Sequence, residues 1–213
     1  MALDIGAASL GWSGFGVWYN LRRLDAKNVP LTPAETIVMT NDPCDRETVR
    51  LLVRGGIVSG PAGEARCALG PAGVVREKRE GDGGTPAGVF PLRRVLYRAD
   101  RVPRPETGLP LAAIAADDGW CDDPADGAYN RPVKLPYPAS AERMARDDHL
   151  YDICVVLGHN DDPPVRGAGS AIFFHLAYAD YRPTEGCVAV SEKDMRAILR
   201  ECGPGAEMEV LRG

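Results

Sequence analysis

The sequence predicts a mainly β fold of short strands with one C-terminal amphipathic helix. Three observations carry this. Gly (24) and Pro (18) make up about a fifth of the 213 residues, a share that favours turns and short strands over long helices. From Thr48 onward, β-favouring pieces alternate with Gly-rich turns. Only one stretch, near the C-terminus, places its apolar residues at helical spacing. The composition, 45% hydrophobic and 26% charged, is that of a globular chain and excludes an intrinsically disordered one.

Residues 1–47 are weakly patterned and end in the turn cluster Asn41-Asp42-Pro43, so they read as an N-terminal extension. Within it, residues 5–19 carry no charge. No Lys or Arg opens that stretch, Arg22 and Arg23 follow it, and it is short of the roughly 20 residues of a membrane span. Neither an export signal nor a membrane span is therefore expected from it.

The domain proper is expected over 48–213. Thr48–Val53, Gly56–Ser59 and Glu64–Leu69 read as strands joined by Gly55-Gly56 and by Gly60-Pro61-Ala62-Gly63, in the rhythm of hairpins. Val89–Tyr97 reads as a further strand after the turn run Gly81–Pro86. The stretch 103–138, with seven prolines and little periodicity, reads as a long loop that either binds something or simply packs. Ser140–Arg146 reads as a helical turn with Ser140 as its cap. Tyr151–Leu157 has the continuous apolar character of a strand buried on both faces.

Ala171–Ala177 alternates, with Ala171, Phe173 and His175 on one face and Ile172, Phe174 and Leu176 on the other. Gly186–Val190 is another short strand. Ser191 then caps a helix to about residue 202, with Met195, Ile198, Leu199 and Cys202 on its apolar face. Glu207–Leu211 closes the chain as a strand.

Charge and cysteine usage narrow the function classes. Lys plus Arg is 25 against 30 for Asp plus Glu, a net charge of −5 with no basic run, so nucleic acid is not an expected partner. The six cysteines, Cys44, Cys67, Cys121, Cys154, Cys187 and Cys202, form no C-x-x-C pair and are too sparse for a disulfide scaffold.

Three histidines exist, His149, His159 and His175. His175, between Phe174 and Leu176, is either a core histidine bonded to one carbonyl or a general base. The segment Pro183-Thr184-Glu185-Gly186-Cys187-Val188 supports the second reading. Gly186 lets the backbone approach a substrate closely, and Cys187 stands at a turn-to-strand junction where a thiol is partly exposed. The interval between residues 175 and 187 suits two antiparallel neighbours that bring imidazole and thiol within hydrogen-bond reach. The rival reading is a metal site from His149, His159, His175, Cys187 and the aspartates at 147, 148, 161 and 162. No pair among them has a sharp ligand spacing, so no metal and no cofactor are expected.

These motifs resemble the YkuD-type L,D-transpeptidase catalytic domain over about residues 48–211. Phe174-His175-Leu176 followed by Thr184-Glu185-Gly186-Cys187 is similar to its C-terminal signature, and Thr85-Pro86-Ala87-Gly88-Val89-Phe90 to its upstream Thr-Pro-x-Gly-x-Phe stretch. Gly169-Ser170-Ala171-Ile172-Phe173 looks like a less studied bacterial branch. Glu185 stands where the family usually carries a second His, and Ala189 where it often carries Arg or Asn.

The resemblance implies a β-sandwich or barrel that acts on peptidoglycan stem peptides in the periplasm or cell envelope. It implies Cys187 as nucleophile, His175 as proton carrier, and the N–H groups of Gly186 and Cys187 as oxyanion donors. The thioester then passes to an amine, or to water in an L,D-carboxypeptidase. An inactive peptidoglycan-binding protein is the further alternative. Arg131 and Arg166 are the expected carboxylate forks, and Asn130 and Asn160 the expected peptide-backbone partners.

Overall fold

The computed structural model describes residues 48–213. The N-terminal extension, its charge-free stretch and Cys44 lie outside the described residues. The elements run β1 (Arg50–Arg54), β2 (Ile57–Gly60), β3 (Gly63–Arg66), β4 (Val74–Val75), β5 (Thr85–Pro86), β6 (Gly88–Tyr97), β7 (Leu111–Ala113), β8 (Asp118–Cys121), β9 (Pro132–Lys134), β10 (Ala141–Arg143), β11 (Ile153–Leu157), β12 (Phe173–Leu176), β13 (Val188–Val190), α1 (Glu192–Glu201) and β14 (Glu207–Val210). The domain is mainly β.

Nine strands form one sheet in the order β13-β12-β11-β6-β14-β1-β2-β3, with β7 added against β6. β6 is long enough to serve two neighbours. Gly88–Pro91 pairs with β14, and Leu92–Tyr97 pairs with β11. The two ends of the sheet meet just past β3. Ala68 N–H donates to Ala189 O at 2.8 Å and Ala189 N–H donates back at 3.0 Å. That reciprocal pair nearly closes the sheet into a barrel, which removes the open edges a flat sheet would expose.

One face of the sheet holds the main core, including Val53, Val95, Val155, Phe174, Leu176, Val188 and Met208. Helix α1 adds Met195, Ile198 and Leu199 to it. Its start is as the sequence predicts: Ser191 Oγ accepts the Asp194 N–H at 3.1 Å and donates to the Asp194 carboxylate at 2.7 Å.

The opposite face of β11 and β12 carries a second cluster with Cys154, Val156, Phe173 and Cys187. A small sheet of order β10-β8-β9 contributes Trp120 to this cluster. The predicted alternation of β12 holds, since Ile172, Phe174 and Leu176 join the main core while Phe173 and Ala171 belong to the second cluster.

Three readings of the sequence are corrected. The stretch 103–138 is not one long loop, because it holds β7, β8 and β9; their short, proline-interrupted strands carry no readable period. Ser140–Arg146 is not a helical turn. Ala141–Arg143 pairs with β8, so sheet pairing overrides the helix preference of Ala and Glu there. Strands β12 and β13 are parallel, with Phe174 opposite Val188 and His175 opposite Ala189. The connection 177–187 is long enough to cross back and restart in the same direction, as parallel neighbours require.

Candidate active site

Parallel register decides where the Cys187 side chain points. Opposed residues of paired strands share a face, so Phe174 opposite Val188 puts Phe173 level with Cys187, and His175 level with Ala189. Cys187, Phe173 and His175 therefore share one face, the one covered by the small sheet. Cys187 and His175 open on the same cavity of about 570 Å³, lined also by Glu80, Glu142, Tyr151 and Thr184.

Cys187 is held from two sides. Its Sγ accepts the Phe173 N–H at 3.3 Å and donates to Ala171 O at 3.3 Å. Ala171 adopts a left-handed backbone (φ 51°), and its N–H donates to Asn130 Oδ1 at 3.1 Å. Behind the thiol, Thr184 ties the turn: its hydroxyl donates to Cys187 O at 2.8 Å and accepts the Gly186 N–H at 3.2 Å.

Gly186 has φ 121°, and a Cβ there would lie 2.6 Å from the Gly84 carbonyl oxygen. No other residue fits that close approach. The Gly186 N–H is thus committed to Thr184, whereas the Cys187 N–H meets no acceptor among the described residues.

Burial sets the resting charge of the pair. Cys187 is 6% exposed, less than the sequence predicts, and burial pushes its thiol up to about 12 despite the Phe173 N–H. His175 is 4% exposed, and burial pulls its imidazole down to about 4 against the favourable Leu176 carbonyl. Both groups are neutral at rest. The five cysteines among the described residues are all free thiols.

Tyr151 packs edge-on against His175 at 5.3 Å and donates its hydroxyl to Glu142 Oε1 at 2.8 Å. Arg146 donates to the same oxygen at 3.0 Å and lies over the Tyr151 ring. Burial raises the Glu142 carboxyl above its ordinary range, with Tyr151 and Arg146 pulling the other way.

The four residues expected to bind substrate lie elsewhere. Asn130 is buried and fully used: Oδ1 accepts Trp120 Nε1–H and the Ala171 N–H, and Nδ2 donates to the carbonyls of His159 and Asn160. Asn160 closes its own loop by bonds to Val165 and Gly169. Arg166 donates to Ala125 O. Arg131 lines a separate cavity of about 390 Å³ with Arg93, Arg94 and Trp120.

The sequence reading missed Glu80, Glu142, Arg146 and Tyr151. The i, i+4 spacing of Glu142 and Arg146 signals an ion pair, but on a helix that does not form. Among the described residues, no group of three His, Cys, Asp or Glu side chains is placed to hold a metal.

Fold and site together define a mainly β domain with a cysteine and a histidine facing one cavity. The chain belongs to the YkuD family: residues 44–210 match its L,D-transpeptidase catalytic domain. Among solved structures it is similar to L,D-transpeptidase 1 of Mycobacterium tuberculosis, with 11% identity and a TM-score of 0.37. That match covers 77% of this chain, which spans 59% of the other chain's length. No curated protein matches the chain.

Proposed function

We propose that this chain is a peptidoglycan L,D-transpeptidase, in which Cys187 and His175 perform acyl transfer. The observation that carries the reading is their common face and common cavity, in a chain of the YkuD family. The Cys187 sulfur attacks the amide carbonyl between a diamino acid's L-centre and a terminal D-alanine. His175 takes the thiol proton as the C–S bond forms and gives it to the departing D-alanine amine.

Two neutral partners suit concerted transfer better than a standing ion pair, which the buried cavity disfavours. The Cys187 N–H supports the oxyanion, and Thr184 keeps the turn in place. An amine then resolves the thioester, giving a new amide. Water in its place gives L,D-carboxypeptidase action.

The substrate places the reaction in the periplasm or cell envelope. No helix among the described residues is long and apolar enough to cross a membrane.

Incubation with a carbapenem tests the nucleophile. The expected result is a mass adduct on Cys187 that Cys187→Ala abolishes. A folded protein that forms no adduct and releases no D-alanine from a tetrapeptide stem is a binding protein, and the acyl-transfer reading is then wrong.

A further inference from the structure

The Cys187 cavity is lined by four carboxylates, Glu80, Asp122, Glu142 and Glu185, beside the guanidinium groups of Arg146 and Arg182. Their charges are met to different degrees. Glu142 is occupied by Tyr151 and Arg146. Glu80 is fixed but not neutralised. Its Oε2 takes the hydroxyl of Tyr129 and that of Ser170, the latter at 2.8 Å. Its Oε1 meets no donor, and no cationic side chain among the described residues pairs with it.

Ser170 directly precedes Ala171, whose carbonyl accepts the Cys187 S–H. Two hydroxyls thus hold the Glu80 carboxylate beside the segment that holds the nucleophile. Asp122, also in the lining, has a buried Oδ1 that meets no partner among the described residues.

Glu80 is an exposed residue, and a carboxylate anchored by neutral hydroxyls with no cation paired to it is presented in one direction. Its natural complement in a half-buried cavity is an ammonium group. We infer that Glu80 recognises the acyl acceptor, binding its ammonium on the free oxygen beside the Cys187 thioester. The inference rests on the reading of Cys187 as the nucleophile.

The bound ammonium gives one proton to solvent water and becomes the attacking amine. The C–N bond forms as the C–S bond breaks, and the second amine proton passes through His175 to the leaving thiolate. Water carries no charge for Glu80 to hold. The carboxylate therefore tilts the thioester toward amines and away from hydrolysis by raising the local concentration of one nucleophile.

The test starts from the isolated acyl-enzyme formed with a tetrapeptide stem, so each variant is read only on how its thioester partitions. The acceptors are glycinamide, an ammonium at neutral pH, and hydroxylamine, uncharged there. Glu80→Gln keeps an oxygen for Tyr129 and Ser170 but removes the charge. Its glycinamide-to-water product ratio is expected to fall by about tenfold or more, while the hydroxylamine ratio stays. In the unmodified protein, the preference for glycinamide over hydroxylamine is expected to weaken as salt is raised, a readout that needs no variant.

Equal losses for both acceptors overturn the inference in favour of a structural role. So does a raised KM for the stem peptide with unchanged partition, which assigns Glu80 to the donor, and so does a salt-independent preference. If the unmodified protein forms no acyl-enzyme at all, the nucleophile reading falls and the inference with it. An acyl-enzyme whose partition ignores charge defeats the inference alone.

Discussion

His175 Nδ1 donates to the carbonyl oxygen of its own neighbour, Leu176, at 2.8 Å. A carbonyl only accepts, so this bond fixes the neutral tautomer with the proton on Nδ1 and the lone pair on Nε2. In the proposed acyl transfer, Nε2 is then the atom that would take the thiol proton. His175→Gln preserves polarity without a titratable lone pair. D-alanine release is expected to fall by about a hundredfold or more, the usual loss when a general base is removed. Single-turnover kinetics with a tetrapeptide stem check this.

The same burial links His175 to acid stability. Its imidazole sits near 4 in the fold against 6.5 in the ordinary case. The unfolded chain therefore binds more protons between those values. The stabilisation from a neutral His175 is complete above pH ~6.5 and is lost as pH falls toward ~4, to a total of about 3 kcal/mol. Urea denaturation at pH 7 and at pH 4.5 is expected to show this loss. His175→Gln should remove most of that pH dependence, whatever its effect at pH 7.

Thr184 ties two backbone groups through one hydroxyl, donating to Cys187 O and accepting from Gly186 N–H. Thr184→Val keeps the shape and removes both bonds, leaving a half-buried N–H and a carbonyl without partners. The expected cost is about 1–3 kcal/mol of stability. It should come with a drop in kcat that exceeds any change in KM, because the turn that aims Cys187 loosens. Thr184→Ser should restore both quantities, and thermal unfolding with steady-state kinetics separates the two effects.

Asn130 shows how far the sequence was legible. An Asn in a turn beside Arg131 looks like a peptide-binding group, because nothing local shows that all its bonds are taken. Its partners come from residues 120, 159, 160 and 171, brought together only by the fold. The same limit hid Glu80, whose partners Tyr129 and Ser170 are distant in the chain. Strands β11 and β12 and helix α1 were readable because each rests on a local pattern. The antiparallel contact expected to hydrogen-bond Cys187 to His175 was not, because the two share a face of parallel strands and each bonds to other groups. Strand direction across 177–187 was not, since a connection of that length serves either sense.

We propose that Asn130 is a positioning residue that acts through Ala171, whose N–H it accepts. It also adopts φ 56°, which Asn tolerates better than most residues. Asn130→Ala leaves the Trp120 N–H, the Ala171 N–H and two carbonyls unmet and adds backbone strain. A loss of about 2–4 kcal/mol is expected, measured by chemical denaturation. If Asn130 instead bound peptide, stability would hold and KM for the stem peptide would rise.

The last prediction separates the resting thiol from the working one. With its thiol pushed from 9.0 to about 12, Cys187 has about a thousandth of the ordinary thiolate fraction at neutral pH. Its alkylation by iodoacetamide, a reagent that makes no use of His175 as a base, should be slow at pH 7. The rate should climb with every unit of pH as long as the fold survives. Acylation by a stem peptide or a carbapenem follows a different course, because carbonyl attack and proton transfer to Nε2 occur together. Its rate should be nearly flat across that range and should collapse in His175→Gln, while alkylation of the same variant hardly changes. Residue-resolved mass spectrometry of both reactions across pH measures the contrast. Fast alkylation at pH 7 would mean that the thiolate already stands at rest and that neutral-pair transfer is not how this site works.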